Sequence, residues 1–101
     1  MNRSLGIFVS DNSHFHKLVK LCEAAAEKKI DVIIFLTHRG VLNTQDPEFV
    51  KVAANARVSI CNRCFDGCGL KRPVPGLAEK DYGTQTRHGE LIDECTRYVV
   101  L

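Results

Sequence analysis

Residues 31–37 constrain the fold of this chain more than any other segment. They read Asp-Val-Ile-Ile-Phe-Leu-Thr, with no polar residue between the apolar ones. A strand with one face in water alternates apolar and polar side chains, whereas a strand covered on both faces is apolar throughout and rich in β-branched residues. The sequence therefore predicts that residues 31–37 form a buried strand of a parallel sheet.

Apolar runs predict three further strands, at residues 5–9, 57–61 and 98–101. Between the strands at residues 5–9 and 31–37, apolar residues recur at helical spacing from His14 to Lys29, which predicts an amphipathic helix. Asn12 or Ser13 is expected to cap this helix, because both residue types accept hydrogen bonds from orphan backbone N–H groups.

Two more helices are predicted downstream. The second begins at residues 46–48, because Asp-Pro-Glu supplies an N-cap, a proline suited to the first turn and an acidic residue for the helix dipole. It is expected to end near Ala56. The last helix opens at Thr84 or Thr86 and has three apolar residues on its inner face, Leu91, Ile92 and Cys95.

Strands and helices thus alternate to the end of the chain, and 101 residues leave room for one domain over residues 1–101. This order predicts an α/β fold with an open, mainly parallel sheet in three layers, helices on both faces and right-handed crossovers. A core of this size leaves much apolar surface uncovered, so self-association is also expected.

Charge and hydropathy argue against two classes of function. The net charge of +2 comes from 14 basic and 12 acidic residues that are scattered along the chain, which is unlike a nucleic-acid-binding surface. No apolar run reaches the roughly 18 residues of a membrane span, and the first residues lack the pattern of a signal peptide. We expect a cytoplasmic location and no membrane partner.

The carboxyl ends of the predicted strands gather the residues that carry chemistry. Ligands of parallel α/β sheets bind at this edge, where residues 10–14, His38, Arg39 and the segment from Cys61 onward are expected to meet. Cys61 lies between a strand end and a helix N-terminus, whose positive backbone charge favours a reactive thiolate. His38 or Arg39 nearby would act in the same direction. The alternative for Cys61 is an inert buried thiol.

Five cysteines, three of them within eight residues, suit thiol chemistry or metal binding better than a disulfide framework. Cys61 and Cys64 form a C-x-x-C pair, which allows a disulfide or joint metal ligation. With Cys68, and with Cys95 or His88, the pair has enough ligands for zinc, but no second C-x-x-C or H-x-x-x-H follows. We therefore expect no metal and no cofactor.

Residues 61–70, Cys-Asn-Arg-Cys-Phe-Asp-Gly-Cys-Gly-Leu, resemble the C-x-x-C-x-D-x-x-G-[IL] signature of the DsrE/DsrF-like family, particularly its YchN-type members. Residues 35–41 resemble the second strand of the family and the Gly-Val that follows it. Residues 96–101 resemble its closing strand. The resemblance implies a flavodoxin-like parallel α/β fold, a homotrimer or homohexamer, and a role in intracellular sulfur relay with sulfur-donor and sulfur-acceptor proteins as partners.

The resemblance also implies roles for individual residues of the motif. Cys61 would carry a persulfide, because the sulfur-carrying cysteine of the family lies eight residues before the motif glycine, here Gly69. Cys64 matches the second cysteine of the YchN-type subset and would resolve the persulfide as a disulfide. Asp66 and Gly67 would shape the loop, with Asp66 accepting backbone hydrogen bonds, whereas Cys68 lies outside the family pattern.

Two other functions fit the same sequence. The first is a redox or metal-binding module that uses Cys61, Cys64 and Cys68 together. The second is a non-catalytic oligomeric interaction protein whose cysteines are only structural, as is expected for Cys22 and Cys95 on apolar helix faces.

Overall fold

A computed structural model describes residues 4–83, 95 and 97–101 of the chain. The strands are β1 (Ser4–Val9), β2 (Asp31–Leu36), β3 (Arg57–Cys61), β4 (Tyr82–Gly83) and β5 (Arg97–Val100). The α-helices are α1 (Phe15–Glu27), α2 (Phe49–Asn55) and α3 (Asn62–Gly67). A 3-10 helix over His38–Gln45 follows β2, and a single 3-10 turn over Glu79–Asp81 precedes β4.

All five strands join one sheet in the order β4-β3-β2-β1-β5, and every neighbouring pair is parallel. The predicted parallel sheet is therefore confirmed, with β4 as an additional short edge strand. The segment at residues 31–37 lies at its centre, and Ile34 and Leu36 are fully buried. Flavodoxin-like sheets have the order 2-1-3-4-5, so the flavodoxin-like part of the expectation is not confirmed.

The larger core lies between one face of the sheet and helices α1 and α2. Successive side chains of a strand point to opposite faces, so that β1, β2 and β3 each direct alternate residues toward the helices. The helices contribute Leu18 and Cys22 from α1 and Phe49 and Val52 from α2, all at most 2% exposed. Full burial of a large apolar side chain stabilises the fold by about 1.5–3 kcal/mol, so this layer holds α1 and α2 on the sheet.

A smaller cluster lies on the opposite face of the sheet. Its buried members are Ile33, Phe35 and Cys61, against which Phe8, Cys64 and Cys95 pack. The ring of Phe8 stacks between those of Phe35, at 5.9 Å, and Tyr98, at 6.4 Å. Gly6 is required beneath Cys95, because a Cβ atom at position 6 would lie 2.6 Å from the Cys95 Sγ.

The starts of α1 and α2 differ from the prediction. Neither Asn12 nor Ser13 caps α1, which begins after His14 without a side-chain cap, because the Ser13 hydroxyl donates to the Asp11 carboxylate at 2.8 Å. Asp46 stands in a turn ahead of α2, where its carboxylate accepts the Glu48 N–H at 2.9 Å and its carbonyl accepts the Phe49 N–H at 2.9 Å. The helix therefore begins three residues later than predicted.

The predicted last helix, from Thr84 or Thr86 through Leu91 and Ile92, lies outside the described residues. Cys95, which was predicted on the inner face of this helix, is half-buried. Within the ranges 4–83 and 97–101, no helix has the length and hydropathy needed to cross a bilayer.

Candidate functional site

The carboxyl ends of β1, β2 and β3 lie side by side and form the floor of the candidate site. Parallel register pairs Val9 with Leu36 and Leu36 with Ile60, so that Ser10, Thr37 and Cys61 follow at the same edge. The Thr37 N–H donates to the Val9 carbonyl at 2.9 Å, which extends the sheet by one residue. The parallel topology thus brings together segments that lie far apart in sequence.

Cys61 is the last residue of β3, and Cys64 lies on the first turn of α3, which follows directly. Cys61 occupies the N-cap position, is 3% exposed and packs in the smaller cluster on the sheet. Cys64 is half-buried and contacts both clusters. All five cysteines of the chain are among the described residues, and none forms a disulfide.

The Cys64 thiol lies in a set of hydrogen bonds that stabilise its thiolate. Burial raises its pKa, but the Thr37 hydroxyl, the His38 backbone N–H, the Cys61 thiol and the positive charge of Arg63 all lower it. The net effect is a Cys64 pKa below the ordinary value of 9.0. Thr37 Oγ1 lies 3.5 Å from the Cys64 Sγ and donates to it when the thiol is ionised.

His38 acts on Cys64 through its main chain, whereas its side chain is exposed. Its φ of 48° lies in the left-handed region, which histidine enters more readily than most residues. The following 3-10 helix crosses the end of β1 so closely that a Cβ at Gly40 would lie 2.1 Å from the Val9 carbonyl oxygen. Gly40 therefore permits the approach that holds the His38 N–H beside Cys64.

A Schellman motif ends α3. The Gly69 N–H donates to the Asp66 carbonyl at 3.0 Å, and the Leu70 N–H donates to the Phe65 carbonyl at 3.3 Å. Gly69 has a φ of 74°, which explains the glycine at this position of the sequence motif. Leu70 and Phe65 both belong to the larger core, as the apolar contact of this motif requires.

Arg72 connects the start of α3 to the β4 edge. Its guanidinium lies 4.0 Å from the centre of the Tyr82 ring and donates to the Glu79 carboxylate at 2.9 Å. A second N–H group donates to the Asn62 side chain, on the first residue of α3. The Phe65 ring meets the Tyr82 ring edge-on at 5.2 Å. A polar contact at Asn62 and an apolar contact at Phe65 therefore both attach α3 to the β4 edge.

The remaining predicted site residues lie at the rim. Arg39, Asp66, Gly67 and Cys68 are exposed. Asp66 accepts the Gly69 N–H through its main-chain carbonyl, and a Cβ at Gly67 would meet no atom within 4 Å. The charge of Arg39 helps to lower the pKa of Asp11, for which the Ser13 and Asn12 hydrogen bonds are the larger causes.

Thr37 and Arg63 are the residues that sequence reasoning missed. Thr37 ends the predicted strand, and its position directly before His38 was the available signal. Arg63 lies between the two cysteines of the C-x-x-C pair. Cys61, Cys64 and Cys68 do not converge on one point: across the part of the chain that the structure describes, no group of three or more His, Cys, Asp or Glu side chains is arranged to hold a metal ion.

Comparison with known proteins adds no family assignment. No protein-family model matches this chain, and no curated protein matches it either.

Proposed function

We propose that this chain is a DsrE-like sulfur carrier in which Cys64 takes up a sulfane sulfur and Cys61 lies beneath it as the second thiol. The observation that carries the proposal is the hydrogen-bonded Cys64 thiol at the carboxyl edge of a parallel sheet, with its pKa lowered. The motif at residues 61–70 supports the same chemistry. A cytoplasmic location, where thiols stay reduced, belongs to this proposal.

The difference in burial between the two cysteines supports Cys64 as the site of uptake. The motif register favours Cys61 as the carrier, and that assignment stays a prediction. Cys61 is 3% exposed, whereas Cys64 is only half-buried and is therefore the more accessible thiol. A thiolate that attacks a partner persulfide must approach it in line with the S–S bond, and this requires access as well as ionisation. We therefore place uptake at Cys64.

Uptake is a thiol exchange. The Cys64 thiolate attacks the outer sulfur of a donor persulfide, the S–S bond of the donor breaks, and the donor departs as a thiolate. The product is a Cys64 persulfide. An acceptor thiolate then attacks its outer sulfur, which regenerates the Cys64 thiolate for the next cycle.

A dithiol redox module is the second candidate, and the direct hydrogen bond between the Cys61 and Cys64 thiols favours it. Deprotonated Cys61 can attack the inner sulfur of the Cys64 persulfide. The Cys61–Cys64 disulfide then forms and hydrogen sulfide departs, so that the two cysteines are oxidised and the sulfane sulfur is reduced. A carrier avoids this reaction, whereas a redox module depends on it.

The test is to treat the reduced protein with a small-molecule persulfide, block all thiols by alkylation and measure the mass of tryptic peptides. Cleavage after Arg63 separates Cys61, in peptide 58–63, from Cys64, in peptide 64–71. We expect peptide 64–71 to gain one sulfur in the wild type and in Cys61→Ser. In Cys64→Ser, we expect no sulfur at position 64 of the same peptide.

Three outcomes would contradict the proposal. Sulfur on peptide 58–63 alone assigns uptake to Cys61. Peptides 58–63 and 64–71 joined by a disulfide, with the loss of two hydrogen atoms and no gain of sulfur, identify the redox module. If none of the variants reacts differently from the wild type, the cysteines are structural. Cys22→Ser serves as a control, because Cys22 lies in the helix-facing core, away from the site.

A further inference from the structure

Cys68 is exposed and lies one helical turn beyond Cys64. Its N–H group donates to the Cys64 carbonyl at 3.0 Å, which is the α-helical hydrogen bond between residues four apart. Side chains with this spacing lie on the same face of a helix. The exposed thiol therefore stands next to the proposed carrier thiol, on the side that faces solvent.

The spacing of these two residues suits sulfur transfer better than disulfide formation. Cβ atoms four residues apart on a helix are separated by about 5–6 Å, whereas a disulfide requires about 3.5–4.5 Å between them. A persulfide on Cys64 is longer than a thiol by one S–S bond of about 2 Å. Its outer sulfur can therefore reach the Cys68 thiolate while α3 stays intact.

The end of α3 fixes Cys68 in this place. Cys68 is the C-cap residue, and the left-handed Gly69 turns the chain away immediately afterwards. The contact of Leu70 with the larger core anchors the turn. Cys68 is thus held on an exposed helix end rather than on an unconstrained loop.

We propose that Cys68 is an exit thiol, which receives the sulfane sulfur from the Cys64 persulfide and presents it to an acceptor thiol in solution. The Cys68 thiolate attacks the outer sulfur, the S–S bond at Cys64 breaks, and Cys64 is released as a thiolate. The acceptor then repeats the exchange on Cys68. This inference rests on the proposed function, because it requires a persulfide on Cys64.

A time course of persulfide loading tests the order of transfer. The protein is treated with one equivalent of a small-molecule persulfide, quenched by alkylation at intervals and digested with trypsin. Fragmentation spectra of peptide 64–71 assign the sulfur to position 64 or 68. We expect sulfur at position 64 first and at position 68 later. Cys64→Ser should load Cys68 at least about tenfold more slowly, because Cys68 must then take sulfur directly from the donor without the stabilised Cys64 thiolate.

A displaced thiol provides the matched control. Cys68→Ser combined with Asp66→Cys moves the exposed thiol two residues closer in sequence but onto a different face of α3. We expect position 64 to load at the wild-type rate in this variant and position 66 to stay unloaded. Transfer of the sulfur to added glutathione should also be slower in Cys68→Ser than in the wild type, because the sulfur then stays on the half-buried Cys64.

The two proposals fail in different ways. Absence of sulfur from position 64 in every variant overturns the proposed function. If position 64 loads normally, but Cys68 loads equally fast in Cys64→Ser or position 66 loads as well as position 68, then Cys68 reacts as an ordinary surface thiol and the exit role is wrong.

Discussion

Thr37 contributes to the low pKa of Cys64 through a single hydroxyl group, at 3.5 Å from the sulfur. Thr37→Val keeps the branched shape and removes the hydrogen bond to the thiolate. We expect alkylation of Cys64 at pH 7 to slow by about tenfold, because loss of a hydrogen bond to a charged group costs at least roughly 1.5 kcal/mol. The rate of iodoacetamide labelling against pH, followed by peptide mass spectrometry, measures this effect.

Thr37→Ser is the matched control, since it retains the hydroxyl and lacks only the methyl group. It should label at close to the wild-type rate. A valine variant that labels as fast as the serine variant would show that the hydroxyl has no part in activating Cys64.

A substitution at His38 distinguishes the effect of its main-chain N–H group on Cys64 from any effect of its imidazole. His38→Gly removes the side chain but preserves the N–H group that approaches Cys64, and glycine adopts a φ of 48° without strain. We expect unchanged labelling of Cys64 and a gain in unfolding free energy of about 1 kcal/mol. Slower labelling would assign the effect to the imidazole instead.

At the scale of the element, two glycines at the end of α3 differ only in backbone conformation. Neither Gly67 nor Gly69 has an atom within 4 Å of an added Cβ, but only Gly69 has a positive φ. Gly69→Ala should lower the free energy of unfolding by about 1–2 kcal/mol. Gly67→Ala should raise it by about 0.5–1 kcal/mol, because alanine is the better helix former.

Urea denaturation of both alanine variants checks this pair. Equal effects of the two substitutions would mean that the left-handed turn does not limit stability.

Elements with a continuous local signal were predicted best from the sequence. The strands at residues 31–36 and 57–61 are confirmed because an apolar β-branched run is itself the cause of a buried parallel strand. The start of α2 was wrong, because Asp46 and Pro47 form a turn as readily as a helix start. The two-residue strand β4 was missed, since Tyr-Gly carries no strand pattern.

The candidate site was only partly predictable for a different reason. The edge at which Cys61 and His38 meet follows from the parallel order of the strands. The contact of Thr37 with Cys64 joins residues 27 apart in sequence and depends on the 3-10 helix after β2. No local pattern encodes such a contact, so only the folded chain shows which groups lower the pKa of Cys64.

For the molecule as a whole, the Cys22 thiol makes stability depend on pH in the alkaline range. Burial, together with the nearby charge of Glu23, raises its pKa from 9.0 to about 11. The unfolded chain therefore loses this proton before the folded chain does, so that the stabilisation is complete below pH 9 and is lost as pH rises through 11. We expect a loss of roughly 3 kcal/mol over this window.

Cys22→Ala isolates the contribution, because the other alkaline groups are unchanged in it. Its unfolding free energy should be lower at pH 7, owing to the small cavity, but should fall less steeply above pH 9. Parallel slopes in urea titrations from pH 8 to 11 would rule out a buried, protonated Cys22.

Assembly is the other property at this scale. We propose a homotrimer or homohexamer, as the family resemblance implies and as a chain of 11.3 kDa with exposed Val50 and Val100 suits. Sedimentation equilibrium at micromolar concentration should give three or six times the chain mass. A species of 11.3 kDa throughout would contradict the assembly.

The strand order places the two tyrosines of this chain on the two opposite edge strands of the sheet. Tyr82 belongs to β4 and Tyr98 to β5, and the sequence contains no tryptophan. Ultraviolet emission therefore originates from two fluorophores in different surroundings, one under the Arg72 guanidinium and one against the Phe8 ring. In Tyr82→Phe the remaining emission reports on local unfolding of β5, and in Tyr98→Phe it reports on local unfolding of β4. The two edges of the sheet can therefore be followed separately, without an added dye.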